Sequence, residues 1–201
     1  VEVWVTNKTG YSRDARDVVA LLNLGEVKAD DPQPSNHYLS SLPPAARLSN
    51  DLALNTFFNA NGGSTQFSRL SAARKLDVHE FSFHAQLGYI SLNQALQGDE
   101  VLAVAYRYML NGKEFQVGEF SADIPVALNE PVALFVKLLK GETLNTQLPT
   151  WNLMMKNIYA IGAGQIRPEH FKLDIFRLAD GNGLEEAMIT EGDKLDQETK
   201  S

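Results

Sequence analysis

The dipeptide Asn111-Gly112 constrains this chain more than any other pair of residues. A two-residue hairpin loop of type I′ needs positive φ at both central positions, which Asn and Gly tolerate. Glu100 to Leu110 leads into it and is apolar on both faces. Leu102, Val104, Tyr106 and Tyr108 lie on one face, and Val101, Ala103, Ala105 and Met109 on the other. A strand apolar on both faces is usually central in its sheet. Phe115 to Phe120 returns. The turn then sets the register: Tyr108 opposite Phe115, Tyr106 opposite Val117, and Arg107 opposite Gln116 on the reverse face. The two aromatic pairs are expected to be buried.

The same period of two recurs elsewhere. Val1 to Val5 alternates, with Val1, Val3 and Val5 on one face. Asn7 to Gly10 is a turn. Asp17 to Leu24 is a short apolar run stopped by Gly25. Phe81 and Phe83 alternate with Ser82 and His84, and Gly88 to Leu92 follows as a further strand. Val132 to Leu139 and Phe171 to Leu178 complete the set, with Asp180-Gly181-Asn182-Gly183 as the last turn.

Helix signals are fewer. Asp30 to Pro44 holds Pro32, Pro34, Pro43 and Pro44 and reads as a loop. Ser49-Asn50 supplies cap chemistry for a helix with Leu54, Phe57 and Phe58 at helical spacing, stopped by Asn61-Gly62-Gly63. In Gln66 to Leu76, Phe67, Leu70 and Ala73 recur every third residue, which predicts a helical turn or two. Thr150 can cap a helix through Ile161 that presents Trp151, Met154, Met155 and Ile158 to a sheet, with Gly162 at its end.

These elements describe a β-rich α+β chain: an antiparallel, sandwich-like sheet scaffold with a few packed helices. Residues 1–201 are read as one domain of a larger protein. Within it lie strands at 1–30, a partly helical insertion at 31–75, a β-rich core at 76–180 with its helix at 150–161, and a tail at 181–201. The abrupt start and polar end resemble the edges of a fragment.

Composition narrows the function. The net charge of −7 gives no basic footprint for nucleic acid. The absence of cysteine removes disulfides and thiolate metal sites. No window approaches the roughly 20 apolar residues of a membrane helix.

Candidate chemistry is thin. The histidines are His37, His79, His84 and His170. Asp77, His79 and His84 invite a metal reading, but an odd separation on a strand points His79 and His84 to opposite faces. Asp180 to Gly183 resembles part of a calcium loop, yet aligning Gly183 with the invariant glycine puts Leu178 and Ile189 at ligand positions. Gly162-Ala163-Gly164 follows a predicted helix, whereas a dinucleotide fingerprint follows a strand. Trp4, Tyr11, Tyr89, Tyr106, Tyr108 and Trp151 could form a sugar-stacking platform, or could be core. No acid pair can be placed across a cleft. The sequence therefore assigns no catalytic, cofactor-binding or metal residue. It favours a structural or interaction module, with a carbohydrate-binding or adhesive surface module as the alternative.

Three stretches carry a resemblance. They are VEVWVTNKTGYSRDARDVVALLNLGE (Val1 to Glu26), FHAQLGYISLNQALQGDEVLAVAYRYMLNGKEFQVGEF (Phe83 to Phe120) and LPTWNLMMKNIYAIGAGQIRPEHFKLDIF (Leu148 to Phe176). Together with Ala73 to Leu76 they resemble the SprA (Sov) family, the giant outer-membrane translocon of the Bacteroidetes type IX secretion and gliding motility system. Runs such as LGYISLN, DEVLAVAY and LMMKNIY are long and specific. The match covers most of residues 1–26 and 73–178; residues 27–72 and 179–201 match less well. The resemblance implies a parent that forms a very large β-barrel, through which folded cargo with a C-terminal sorting domain leaves the cell. It implies as partners the rest of that parent, a PorV-like smaller barrel, a plug protein and secreted cargo. It implies no catalysis and brings no functional residue to carry over. This chain, almost without membrane-barrel alternation, would be a region outside the bilayer, an extracellular cap rather than a periplasmic segment.

Overall fold

Asn111 and Gly112 take φ of 52° and 75° in the computed structural model. The hairpin they close has the register that the turn dictates. β6 (Leu102–Leu110) and β7 (Lys113–Val117) pair Tyr108 with Phe115, Arg107 with Gln116 and Tyr106 with Val117. The Tyr108 and Phe115 rings stack with centroids 5.3 Å apart, and Arg107 Nε donates to Gln116 Oε1 at 2.8 Å. Phe115 and Val117 are buried; Tyr106 and Tyr108 are half-buried.

The structure describes residues 1–10, 13–24, 39, 42, 43, 46, 47, 51–60, 67–124, 132–155, 169, 172, 176–178 and 185–187. The chain forms two compact units, Val1–Lys156 and Asn157–Ser201. In the second, β9 (Phe176–Leu178) and β10 (Glu185–Ala187) pair antiparallel.

The first unit is β-rich, as the sequence predicts. Its other elements are β1 (Glu2–Val5), β2 (Arg16–Leu21), α1 (Asp51–Ala60), β3 (Phe67–Lys75), β4 (Phe81–His84), β5 (Tyr89–Leu92), β8 (Leu134–Lys140) and α2 (Thr150–Leu153). The main sheet runs β1-β3-β2-β8-β6-β7, and β1 pairs with β6 as well. Five strands thus close into a ring, with β7 extending it. One pair, β2 with β8, is parallel, so the sheet is mixed.

Closure sorts the side chains. Trp4, Val18, Ala20, Leu70, Ala73, Ala103, Ala105, Leu134, Val136 and Leu138 form one buried cluster to which every strand of the ring contributes. A five-stranded ring encloses less space than the eight-stranded barrels whose interiors side chains just fill. Alanines from β2, β3 and β6 make room there for the indole of Trp4, which is fully buried. Large beside small is how small barrels fill. Val19, Leu21, Phe135 and Val117 point the other way, into a second cluster that α1 covers with Leu54 and Phe57.

The three-residue spacing of Phe67, Leu70 and Ala73 does not make a helix; these residues lie on β3, which stands between β1 and β2 in the ring. The pairs Arg16 with Ala73 and Val18 with Leu70 show that β3 carries one extra residue, a β-bulge. The bulge returns Leu70 and Ala73 to the same face, although their separation is odd. Phe67 faces the second cluster. Ala72 takes φ 48° in the bulge. Its amide donates to Asp17 Oδ1 at 2.9 Å, and its carbonyl accepts from Asn7 Nδ2 at 3.0 Å, so side chains replace the ladder bonds that the bulge removes.

The predicted helix at 150–161 is also corrected. α2 stops at Leu153, and Met154 is extended with ψ 137°. Its start is held by i→i+3 bonds, Trp151 N to Leu148 O and Asn152 N to Pro149 O, with no side-chain cap. A tight, uncapped turn is a poor nucleus for further helix. Trp151 is half-buried, and Met155 is 52% exposed. Ile158 to Gly164, together with Tyr11, His37, His170 and Asp180 to Gly183, lie outside the described residues.

Candidate functional site

Two places in the first unit bring polar groups together. The first lies where the chain leaves β7. Ser121 Oγ donates to Glu2 Oε1 at 2.6 Å, Ser121 N donates to Glu2 Oε2 at 2.9 Å, and Lys75 Nζ donates to Ser121 Oγ at 3.0 Å. Lys75 also sits 3.6 Å from Glu2. A serine between a lysine and a carboxylate has the composition of a nucleophile and its base. Here both Glu2 oxygens are taken up by Ser121 itself, and Lys75 bridges the same pair. The network is closed among these three side chains. It fastens the segment after β7 across the ring, where Phe120 and Ile124 pack on the inner cluster. Arg16 fastens the same segment through the carbonyls of Ser121 and Ile124, and joins it to the chain entering β8 through the carbonyl of Val132. Burial lowers the Arg16 pKa, and Glu2 and Glu119 oppose that shift.

The second is the β4–β5 hairpin. It forms a two-stranded sheet of its own rather than joining the main sheet. The pairs are Phe81 with Leu92, Ser82 with Ser91, Phe83 with Ile90 and His84 with Tyr89. Alternation puts Phe81, Phe83, Ile90 and Leu92 on one face and Ser82, His84, Tyr89 and Ser91 on the other. The apolar face is only partly covered. Phe83 is 48% exposed, and Val78 before the hairpin and Leu87 in its loop are 73% and 71% exposed.

The sequence explains why the arm holds its shape. Gly88, at φ 65°, lets the loop turn, and its amide donates to His84 O at 2.8 Å. His84 Nδ1 accepts from the Leu87 amide at 3.3 Å, and its ring stacks on Tyr89 at 5.2 Å. At the root, Arg74 Nη1 contacts both Glu80 oxygens at 2.7 and 2.8 Å. Asn93 ties the two strands through its amide to Glu80 O at 2.9 Å and through Nδ2 to His79 O at 2.6 Å. A groove of about 180 Å³ lies between root and ring, lined by Val5, Leu76, His79, Glu80, Leu92 and Glu100 among others.

The hydrogen bond from Arg74, helped by the Asp77 amide, holds the Glu80 pKa below its ordinary 4.5. A carboxylate depressed on folding stabilises above its unfolded pKa, and that contribution is lost as pH falls through the folded value. Acidification below about 4.5 should therefore loosen the arm root first. The protection of the Asp77 and Asn93 amides, measured by NMR exchange relative to their intrinsic rates at each pH, should fall in the wild type on acidification. It should already be low in Glu80→Gln at neutral pH. Protection that stays constant with pH in the wild type would show that Glu80 does not hold the root.

Other candidates are dispersed. His79 lies in the turn before β4 and His84 on the arm, and among the described residues no three His, Asp or Glu side chains converge as a metal site. Of the aromatic set, Trp4 is inside the ring, Tyr106 and Tyr108 lie against the second cluster, and Tyr89 stacks on His84. The alternation of Phe81 to His84 and Tyr89 to Leu92 is visible in the sequence, but their separation from the main sheet is not. The signal was the polar set Ser82, His84 and Ser91, which a centrally buried strand would not carry.

No family model and no curated protein matches this chain.

Proposed function

We propose that this chain is a non-catalytic structural and interaction domain of a type IX secretion translocon. On this reading a packed five-stranded ring serves as a rigid base and the β4–β5 arm as its contact surface. The carrying observation is the arm itself: a well-tied hairpin whose Phe83 and loop Leu87 lie open to solvent, with Val78 exposed just before it. Exposed apolar surface grouped on one arm is a mark of interaction sites. The resemblance supports the assignment to a translocon. Its run LGYISLN is Leu87 to Asn93, the loop and return strand of the arm. The domain then lies outside the bilayer at the outer membrane, as part of an extracellular cap. Its partners are the remainder of the parent barrel, a PorV-like barrel, a plug protein or exported cargo.

The test is made in the parent protein in the bacterium. Phe83→Ser combined with Leu87→Ser should reduce cargo export and gliding several-fold while the parent's abundance at the outer membrane is unchanged. Export at the wild-type level would overturn the reading. So would a hydrolase activity of the purified chain that Ser121→Ala removes.

A further inference from the structure

The arm has two free edges among the described residues, because β4 and β5 pair only with each other. Asn93 N donates to Glu80 O, so that pair is a hydrogen-bonded one. Bonded and non-bonded pairs alternate along an antiparallel ladder. Ser82 and Ser91 therefore bond inward, and the amides and carbonyls of Phe81, Phe83, Ile90 and Leu92 point outward at the edges. Free backbone groups and the partly covered apolar face, with Phe83 exposed and Phe81, Ile90 and Leu92 half-buried, belong to the same four residues. That combination is what strand addition uses: main-chain bonds for affinity and alternate side chains for specificity.

Charge selects the occupant. From Leu76 to Tyr106 there is no Lys or Arg, but there are Asp77, Glu80, Asp99 and Glu100. Arg74 is engaged by Glu80 and Lys8 by Asp99. Among the described residues the Asp77 carboxylate accepts the His79 amide, and Glu100 the Gln97 amide. Lys140 donates to the carbonyls of Gln97, Gly98, Glu100 and Gly141 and offsets the charges of Glu100 and Asp99, which leaves Asp77 as the exposed acid at the root without a cation among the described residues. A second copy of this chain would bring its own acid excess of 7 to the contact, and an anionic lipid surface would likewise be repelled.

We infer that the arm receives, as an added β-strand, an extended partner segment with alternating apolar side chains and Lys or Arg between them. Pairing with one edge, it extends the apolar face of Phe81, Phe83, Ile90 and Leu92, and a cation at its root end lies toward the exposed Asp77. This rests on the reading of the arm as the domain's contact surface. Each edge offers few backbone bonds, so the complex is weak and salt-sensitive, as suits a handled strand rather than a permanent subunit.

The purified chain is titrated with three short peptides: alternating lysine and valine, alternating glutamate and valine, and alternating lysine and serine. Anisotropy gives the affinity and amide NMR shifts give the location. The lysine–valine peptide should bind at least about tenfold tighter than either counterpart, with shifts centred on Phe81 to Leu92. Phe83→Ser should weaken it about tenfold, the loss of one buried aromatic contact. Asp77→Asn, at an exposed position, should weaken it less and flatten its salt dependence. Thermal melts confirm that both variants fold. The inference is overturned by no binding, by equal binding of either counterpart, by shifts elsewhere, or by arm-dependent dimerisation in sedimentation. An arm needed for export that ignores the lysine–valine peptide sinks this inference alone. An arm that binds the peptide but is dispensable for export sinks the proposed function and leaves the binding mode standing.

Discussion

Trp4→Ala should destabilise the first unit by about 3–5 kcal/mol, the usual range for truncating a core tryptophan. Trp4 is fully buried inside the ring, opposite Ala103 of β6 and Lys75 of β3. Its Nε1 has no hydrogen-bond partner among the described residues. The loss is therefore one of packing and cavity, with no hydrogen bond to subtract. The alanines around it cannot fill the space left behind. A domain of ordinary stability has only about 5–15 kcal/mol to lose, so the variant should melt at a much lower urea concentration. Trp4→Phe should retain most of the stability. Trp151→Ala should cost clearly less, because Trp151 is half-buried beside the end of a short helix. A Trp4→Ala loss below about 1 kcal/mol would mean that the ring is not closed around the indole.

The contrast between the two tryptophans shows where sequence reading succeeds. Near-neighbour chemistry is legible: Asn111-Gly112 dictates two dihedrals, and those fix the whole β6–β7 register. Period-two runs are legible as strands for the same reason, since the pleat repeats every two residues. What is not legible is a pattern produced by a distant partner. Leu70 and Ala73 look helical because a bulge adds a residue, and the bulge exists because Asp17 and Asn7 satisfy Ala72 from elsewhere in the chain. The pairing of β1 with β3 and with β6 is equally non-local, so Trp4 gives no local sign that it faces a closed interior. The arm was half legible. Its strands follow from alternation, but exposure depends on what packs beside them, and no residue of the arm encodes whether a third strand joins it.

Among the described glycines, Gly118→Ala should be the most damaging substitution by alanine. Gly118 follows β7 at φ 80°, a left-handed conformation that costs a residue with a Cβ about 1–2 kcal/mol. A Cβ there would lie 3.0 Å from Ala105 Cβ, 3.1 Å from Ala105 Cα and 3.2 Å from Val104 O. Two of those three contacts are backbone of β6 and cannot rotate away. Overpacking of this kind adds about 1–3 kcal/mol. The next residue raises the stakes. Glu119 is buried; its Oε2 accepts the Phe135 amide at 3.0 Å, its own amide donates to Phe135 O at 2.8 Å, and Arg47 Nη2 holds its Oε1 at 2.7 Å. Displacing Gly118 drags Glu119 off Phe135 and leaves a buried donor unmet. A combined loss of about 2–5 kcal/mol in a denaturant melt is the expected result. Gly112→Ala is the control, because Gly112 has φ 75° but nothing within 4 Å of a new Cβ. It should cost the conformational strain alone. Gly118→Ala with Ala105→Gly should recover only part of the loss, since the second change removes one contact of the three. Equal losses for Gly112→Ala and Gly118→Ala would refute the close approach of β7 to β6 and leave strain as the whole effect.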